Sequence, residues 1–194
     1  PAVDGDNDST HKTILVLGGL VSERNGISLG QFSPASGGNN QIEIAVGGFI
    51  FGRVFGVHTE GGGDLIVNEG SIRALGDGVN MSTGGNEVVN FGTIVADGDG
   101  VDFNISDGNT LTNYGRIGGG DEGVEFSGGD QVVINHGEIF SSDRSVGNEA
   151  VEALTNVGET SSLFNYGRIA GAGAFGGGSG EETLVNRGVM TGVV

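Results

Sequence analysis

The sequence predicts an all-β fold, a right-handed parallel β-helix (β-solenoid) of about eight coils with a 22-residue repeat. Three observations carry this. The first is glycine, 42 of 194 residues with only 2 prolines, too dense for helices when each interior glycine costs about 1 kcal/mol. The second is a motif, Asn-x-Gly-x-(Ile/Met), that recurs at Asn68, Asn90, Asn113, Asn135, Asn165 and Asn186, at steps of 22, 23, 22, 30 and 21 residues. The third is a second pattern on the same step, Gly56-Val57, Gly78-Val79, Gly100-Val101 and Gly123-Val124. A fixed period of this length is the mark of a stacked repeat architecture.

Taken along the chain, residues 1–13 read as a flexible acidic N-terminal arm and residues 14–194 as the β-helix domain. Two degenerate copies of the motif, at Leu17–Val21 and Val46–Ile50, lead into the six regular ones. Each repeat holds three short apolar strands separated by glycine-rich corners. Coils stack at about 4.8 Å, so eight would rise about 38 Å, and equivalent residues form ladders along the axis. Ile66, Val88, Leu111, Val133, Leu163 and Leu184 make one inward ladder. Ile72, Ile94, Ile117, Ile139, Ile169 and Met190 make a second, and Met81, Phe103 and Phe126 begin a third. The right hand follows the usual chirality of parallel crossovers.

The motif asparagine has the parity of the inward residues. It therefore reads as a structural ladder, Asn68, Asn90, Asn113, Asn135, Asn165 and Asn186, in which each amide bonds to those above and below. The glycine two residues later allows a tight corner or a positive φ. Asn109, in the turn before one such strand, is expected to matter little. Two coils are longer, with the excess near Gln31–Ser36 and Ser141–Asn148. Such insertions become corner loops, either simple surface excursions or binding elements.

Composition excludes several functions. Aspartate and glutamate number 25 against 8 lysines and arginines, a net charge of −17, which repels nucleic acid. The lack of cysteine removes disulfides and thiolate metal sites. No apolar run is long enough for a transmembrane segment, and no signal peptide is visible. No nucleophile–base pair, P-loop or dinucleotide fingerprint is recognisable.

The N-x-G-x-I repeat, on a glycine-rich, acidic, cysteine-free chain, resembles the β-solenoid segments of secreted bacterial surface proteins, such as autotransporter passengers and adhesins. The resemblance implies an extracellular or cell-surface location and a role in display, adhesion or support of another domain. The chain departs from the calcium-binding nonapeptide repeat, of which Gly118–Asp121 and Gly128–Asp130 are only fragments.

Residues flanking the buried asparagine point outward, yet many are apolar. Phe91, Tyr114, Ile134, His136, Phe164 and Tyr166 form a candidate association stripe. Three readings of it stand: a protein contact, as a homodimer or with other domains of a longer parent protein; stacking on a polysaccharide; or a strand stripe selected for β propensity. Arg116, Glu138 and Arg168 share one ladder position as an ion-pair row. The enzymatic alternative, a polysaccharide lyase or epimerase, would use an arginine base beside His136.

No cofactor is expected, with calcium as the alternative. Asp77 and Asp99, with Asp121 or Glu122, occupy matching corners, and Asn80, Asp102 and Glu125 follow three residues later. The expectation is a solvated acidic corner, and a bridging calcium is the sharper reading. Asp4, Asp6 and Asp8 have D-x-D-x-D spacing, but the twelfth position of that loop would be Leu15, which offers no carboxylate. The start at Pro1 and the end at Val194, part-way through a repeat, read as an excised piece of a longer protein.

Overall fold

The computed structural model describes residues 1–5, 10–30, 38–143, 145 and 148–193. It is a parallel β-solenoid of about eight coils with three sheets and, among the described residues, no helix. The first sheet stacks Val3–Asp4, Ile27–Leu29, Val57–Thr59, Val79–Met81, Val101–Ile105, Val124–Ser127 and Val151–Ala153. The second stacks Thr13–Val16, Gln41–Ile44, Leu65–Asn68, Glu87–Asn90, Thr110–Asn113, Gln131–Asn135, Thr160–Asn165 and Glu181–Asn186. The third stacks Gly19–Ser22, Phe49–Gly52, Ser71–Ala74, Thr93–Ala96, Arg116–Gly119, Glu138–Ser141, Arg168–Gly173 and Val189–Val193. Every pairing is parallel and joins one coil to the next.

The register reproduces the repeat. Val88 pairs with Ile66 and Leu111, and Ile94 with Ile72 and Ile117. Alternation along each strand sends these side chains inward, where they are fully buried. Met81, Phe103 and Phe126 fill the third side of the core and are among its largest buried groups. The stack extends into the span expected as a free arm, because Val3–Asp4 pairs with Ile27–Ser28 and Val3 packs on the core. Asp6, Asp8 and the excess near Gln31–Ser36 lie outside the described residues.

The motif asparagines form an unbroken row, buried from Asn68 to Asn165 and exposed at Asn186. Nδ2 of Asn68, Asn90, Asn113, Asn135 and Asn165 each donates at 2.8 Å to Oδ1 of the asparagine one coil on. The glycine two residues later is needed for close approach rather than for a positive φ. A Cβ at Gly115 would lie 2.1 Å from the Gly92 carbonyl oxygen, inside any tolerable contact.

A second polar row, absent from the sequence expectations, runs along the corner between the first and second sheets. The side-chain carbonyl or carboxylate oxygens of Asn40, Asp64, Asn86, Asn109 and Gln131 accept the backbone N–H of Lys12, Asn40, Asp64, Asn86 and Asn109 at 2.8–3.0 Å. Asn109 is thus a fully buried bracket between coils, which corrects the expectation that it matters little. The residue before each side chain is left-handed: Asn39, Gly63, Gly85, Gly108 and Asp130 all have φ between 53° and 75°. Only glycine, asparagine and aspartate enter that region readily.

Candidate functional site

Three outward features depart from a plain solvated surface. The first is the stripe at the corner between the second and third sheets. Here the structure places Phe91, Tyr114, His136 and Tyr166 in one ladder, each one residue past a buried asparagine. Consecutive ring centroids are 5.0 Å apart and the planes lie within 10° of parallel. The three hydrocarbon rings are about half exposed. Ile134 and Phe164 pair in register on the other side of the asparagine row, half-buried on the second sheet's outer face. The six stripe residues therefore form two adjacent rows. Ring faces within the stack are turned toward one another, so the stripe presents ring edges, the tyrosine hydroxyls and the imidazole nitrogens.

The second feature is a carboxylate row on the first sheet. Register stacks Ser28, His58, Asn80, Asp102, Glu125 and Glu152 on its outer face. Three residues earlier in each coil, Asp77, Asp99, Glu122 and Glu149 climb the adjoining corner. Glu122, not Asp121, belongs to this corner, since its backbone N–H donates to Asp99 Oδ1 at 3.0 Å. Carboxylate oxygens fall into three overlapping groups, Asp77–Asp99–Asp102, Asp99–Glu122–Glu125 and Glu122–Glu149–Glu152, each with atoms within 4.8 Å of one another.

This row is not the solvated corner expected, because Asp102 and Glu122 are at most 9 % exposed and the other members are half-buried. Burial first, and then the neighbouring carboxylates Glu125 and Asp77, push the Asp102 group up to about 7. Burial and then Glu125 and Glu149 do the same to Glu152, also to about 7. Burial likewise raises Asp99, Glu122 and Glu125, and a hydrogen bond between Asp99 and Glu122 favours a proton on Glu122. The charges that act most on these groups are those of neighbouring carboxylates. Chemically the row can hold protons, or oxygen-seeking divalent cations whose bonds of about 2.4 Å fit donors at this separation. At its other end Asn80 Nδ2 donates to Asp77 and Asp102, Asn80 Oδ1 lies 3.0 Å from His58 Nδ1, and Glu60 Oε1 lies 3.1 Å from His58 Nε2. Asp4, the described member of the early acidic spacing, pairs with Ser28 at the exposed start of this ladder, away from the three groups.

The third feature is a groove of about 630 Å³ on the third sheet. Arg116 Nε donates to Glu138 Oε2 at 3.0 Å, and Arg168 pairs with Glu138 Oε1. Burial alone would raise the Glu138 carboxyl, but the hydrogen bonds and charges of the two arginines outweigh it and hold it low. Sequence reasoning found this ion-pair row but not the groove, whose wall belongs to the longer coil that begins at Ser141.

No family model matches the chain, and no characterised protein or solved structure matches it.

Proposed function

We propose that this chain is a non-enzymatic structural or adhesive β-solenoid segment of an extracellular bacterial protein, associating through its apolar stripe as a homodimer. The carrying observation is the Phe91–Tyr114–His136–Tyr166 stack beside the Ile134–Phe164 row. It is a half-exposed apolar surface, set apart from the stacked carboxylate row of the first sheet. The second sheet's outer face and the aromatic corner span about 38 Å by roughly 20 Å. The whole face approaches the roughly 800 Å² per partner of a standard stable interface, and the stripe occupies the four coils from Phe91 to Tyr166 within it. A second copy is the proposed occupant because closed two-fold pairs are the commonest assemblies. Sugar stacking is less well served, because it needs free ring faces and the stack uses them. The enzymatic alternative is weakened in the same way: both arginines near His136 are paired to Glu138, and His136 lies between two tyrosines. The extracellular bacterial setting rests on the N-x-G-x-I resemblance.

Light scattering on a size-exclusion column tests the association. The parent chain is expected to run as a dimer, and Tyr114→Glu with Phe164→Glu as a monomer with unchanged circular dichroism. A parent chain that stays monomeric at high micromolar concentration overturns the reading.

A further inference from the structure

The groove on the third sheet is independent of the stripe and of the association it supports. Its floor is made of small residues, Ala170, Gly171 and Ala172, and one side carries Thr191. The opposite wall is Ser141, Ser142 and Asp143, the first described residues of the long coil's insertion. That wall is anchored: Ser142 N–H donates to Gly119 O at 2.9 Å and Asp143 N–H to Gly120 O at 3.0 Å. The Asp143 carboxylate is engaged by Ser145 N–H at 2.8 Å and by Asn148 Nδ2 at 3.1 Å.

The head of the groove is the Arg116–Glu138–Arg168 row, two guanidiniums on one carboxylate. In a chain of net charge −17 this row sets two guanidiniums against one carboxylate, and with Asp143 on the wall the groove's lining charges balance. The two arginines differ. Arg116 lies over the Phe140 ring, its Cζ 4.1 Å from the centroid, a cation–π contact that helps hold it in place. Phe140 can lie there because residue 118 is glycine; a Cβ at that point would be 2.0 Å from Phe140 Cζ. The Arg168 side chain has one hydrogen bond among the described residues, through Nη1 to Glu138, and it lines the groove. An arginine fork of this kind selects carboxylate and other oxyanions by paired N–H donation. A space of 300–1,000 Å³ is the usual size for a small-molecule site.

We propose that this groove binds a small oxyanion-bearing ligand. Its anionic group is taken by Arg168, and its body lies on the Ala170–Ala172 floor between Thr191 and Ser142. The oxyanion can come from a sugar acid or from a free inorganic anion. Titration of the full chain with glucuronate, sulfate and glucose, followed by amide NMR shifts, separates these sources. Saturable shifts centred on Ala170–Ala172 and Thr191 are expected with glucuronate and not with glucose. Tighter binding of glucuronate than of sulfate assigns a sugar acid, and equal binding assigns a free anion. Arg168→Gln should weaken binding at least tenfold while circular dichroism is unchanged. Arg116→Gln is the second variant, expected to weaken it less because that side chain is already committed to Phe140. The proposal is overturned by an absence of saturable shifts up to about 10 mM, by equal response to glucose, or by full binding in Arg168→Gln.

Discussion

Asn113 donates through Nδ2 to Asn135 Oδ1 at 2.8 Å, one coil further on, and both side chains are fully buried. The same bond occurs five times in one direction, so each amide satisfies its neighbour and a lone replacement leaves two groups unpaired. A buried polar group without a partner costs about 1–3 kcal/mol. Asn113→Ala is therefore expected to destabilise by about that amount in urea unfolding. Asn109→Ala should cost a similar amount, since its Oδ1 holds the Asn86 N–H at 2.9 Å. Asn156→Ala, whose amide is exposed and meets only Glu159, should change little. Equal midpoints for all three variants would remove the energetic role assigned to both rows.

Asp64 is the one acidic member of the second row. It accepts from the Asn40 backbone and side chain through Oδ1, while its buried Oδ2 has no partner in hydrogen-bonding geometry. Burial pushes this carboxyl up, against the Asn40 hydrogen bonds that pull it down. A group whose folded pKa is raised stabilises the fold below its unfolded pKa and loses that contribution as pH rises. Asp64→Asn is thus expected to melt higher than the parent at pH 7–8, with the difference shrinking toward pH 4. A variant that melts lower at both values would show the ionised carboxylate to be useful.

How much of this was legible follows from which residues repeat cleanly. The aliphatic ladders and the asparagine row are one residue type at one step, so period alone located them. The second polar row was equally periodic, at positions 40, 64, 86, 109 and 131, each after a left-handed residue. It was missed because asparagine, aspartate and glutamine share the post there and glycine-rich turns read as spacer. The stripe was legible as composition, but face-to-face ring stacking depends on rotamers that sequence spacing does not report. Burial of the acidic row was invisible for another reason. Strand parity places Asp102 and Glu125 outward, and their burial comes from side chains brought beside them by the stacking, among them Asn80 on Asp102 and Ser127 on Glu125.

That row gives the last prediction. Between pH 4 and 7 the folded chain keeps protons on Asp102 and Glu152 that an unfolded chain, with carboxyls near 4, has released. The folded state then binds more protons, so stability must fall as pH rises through this window, by up to about 1.4 kcal/mol per pH unit for the buried Asp102 and by less for the more solvent-screened Glu152. Glu138, held low by its arginines, works in the opposite sense, but it is a single exposed-edge group whose effect lies at more acid pH. Thermal melts are expected to be higher at pH 5 than at pH 8, the reverse of ordinary acid destabilisation. Asp102→Asn should flatten the profile by removing one of the retained protons. Calcium at pH 8 offers a different neutralisation of the same oxygens. A saturable rise in melting temperature beyond that from sodium at equal ionic strength would identify Asp77–Asp99–Asp102 and its two repeats as cation sites. Equal rises would leave protons as the species that hold the row together. A profile that climbs steadily from pH 5 to pH 8 in the absence of divalent ions would contradict the retained protons altogether.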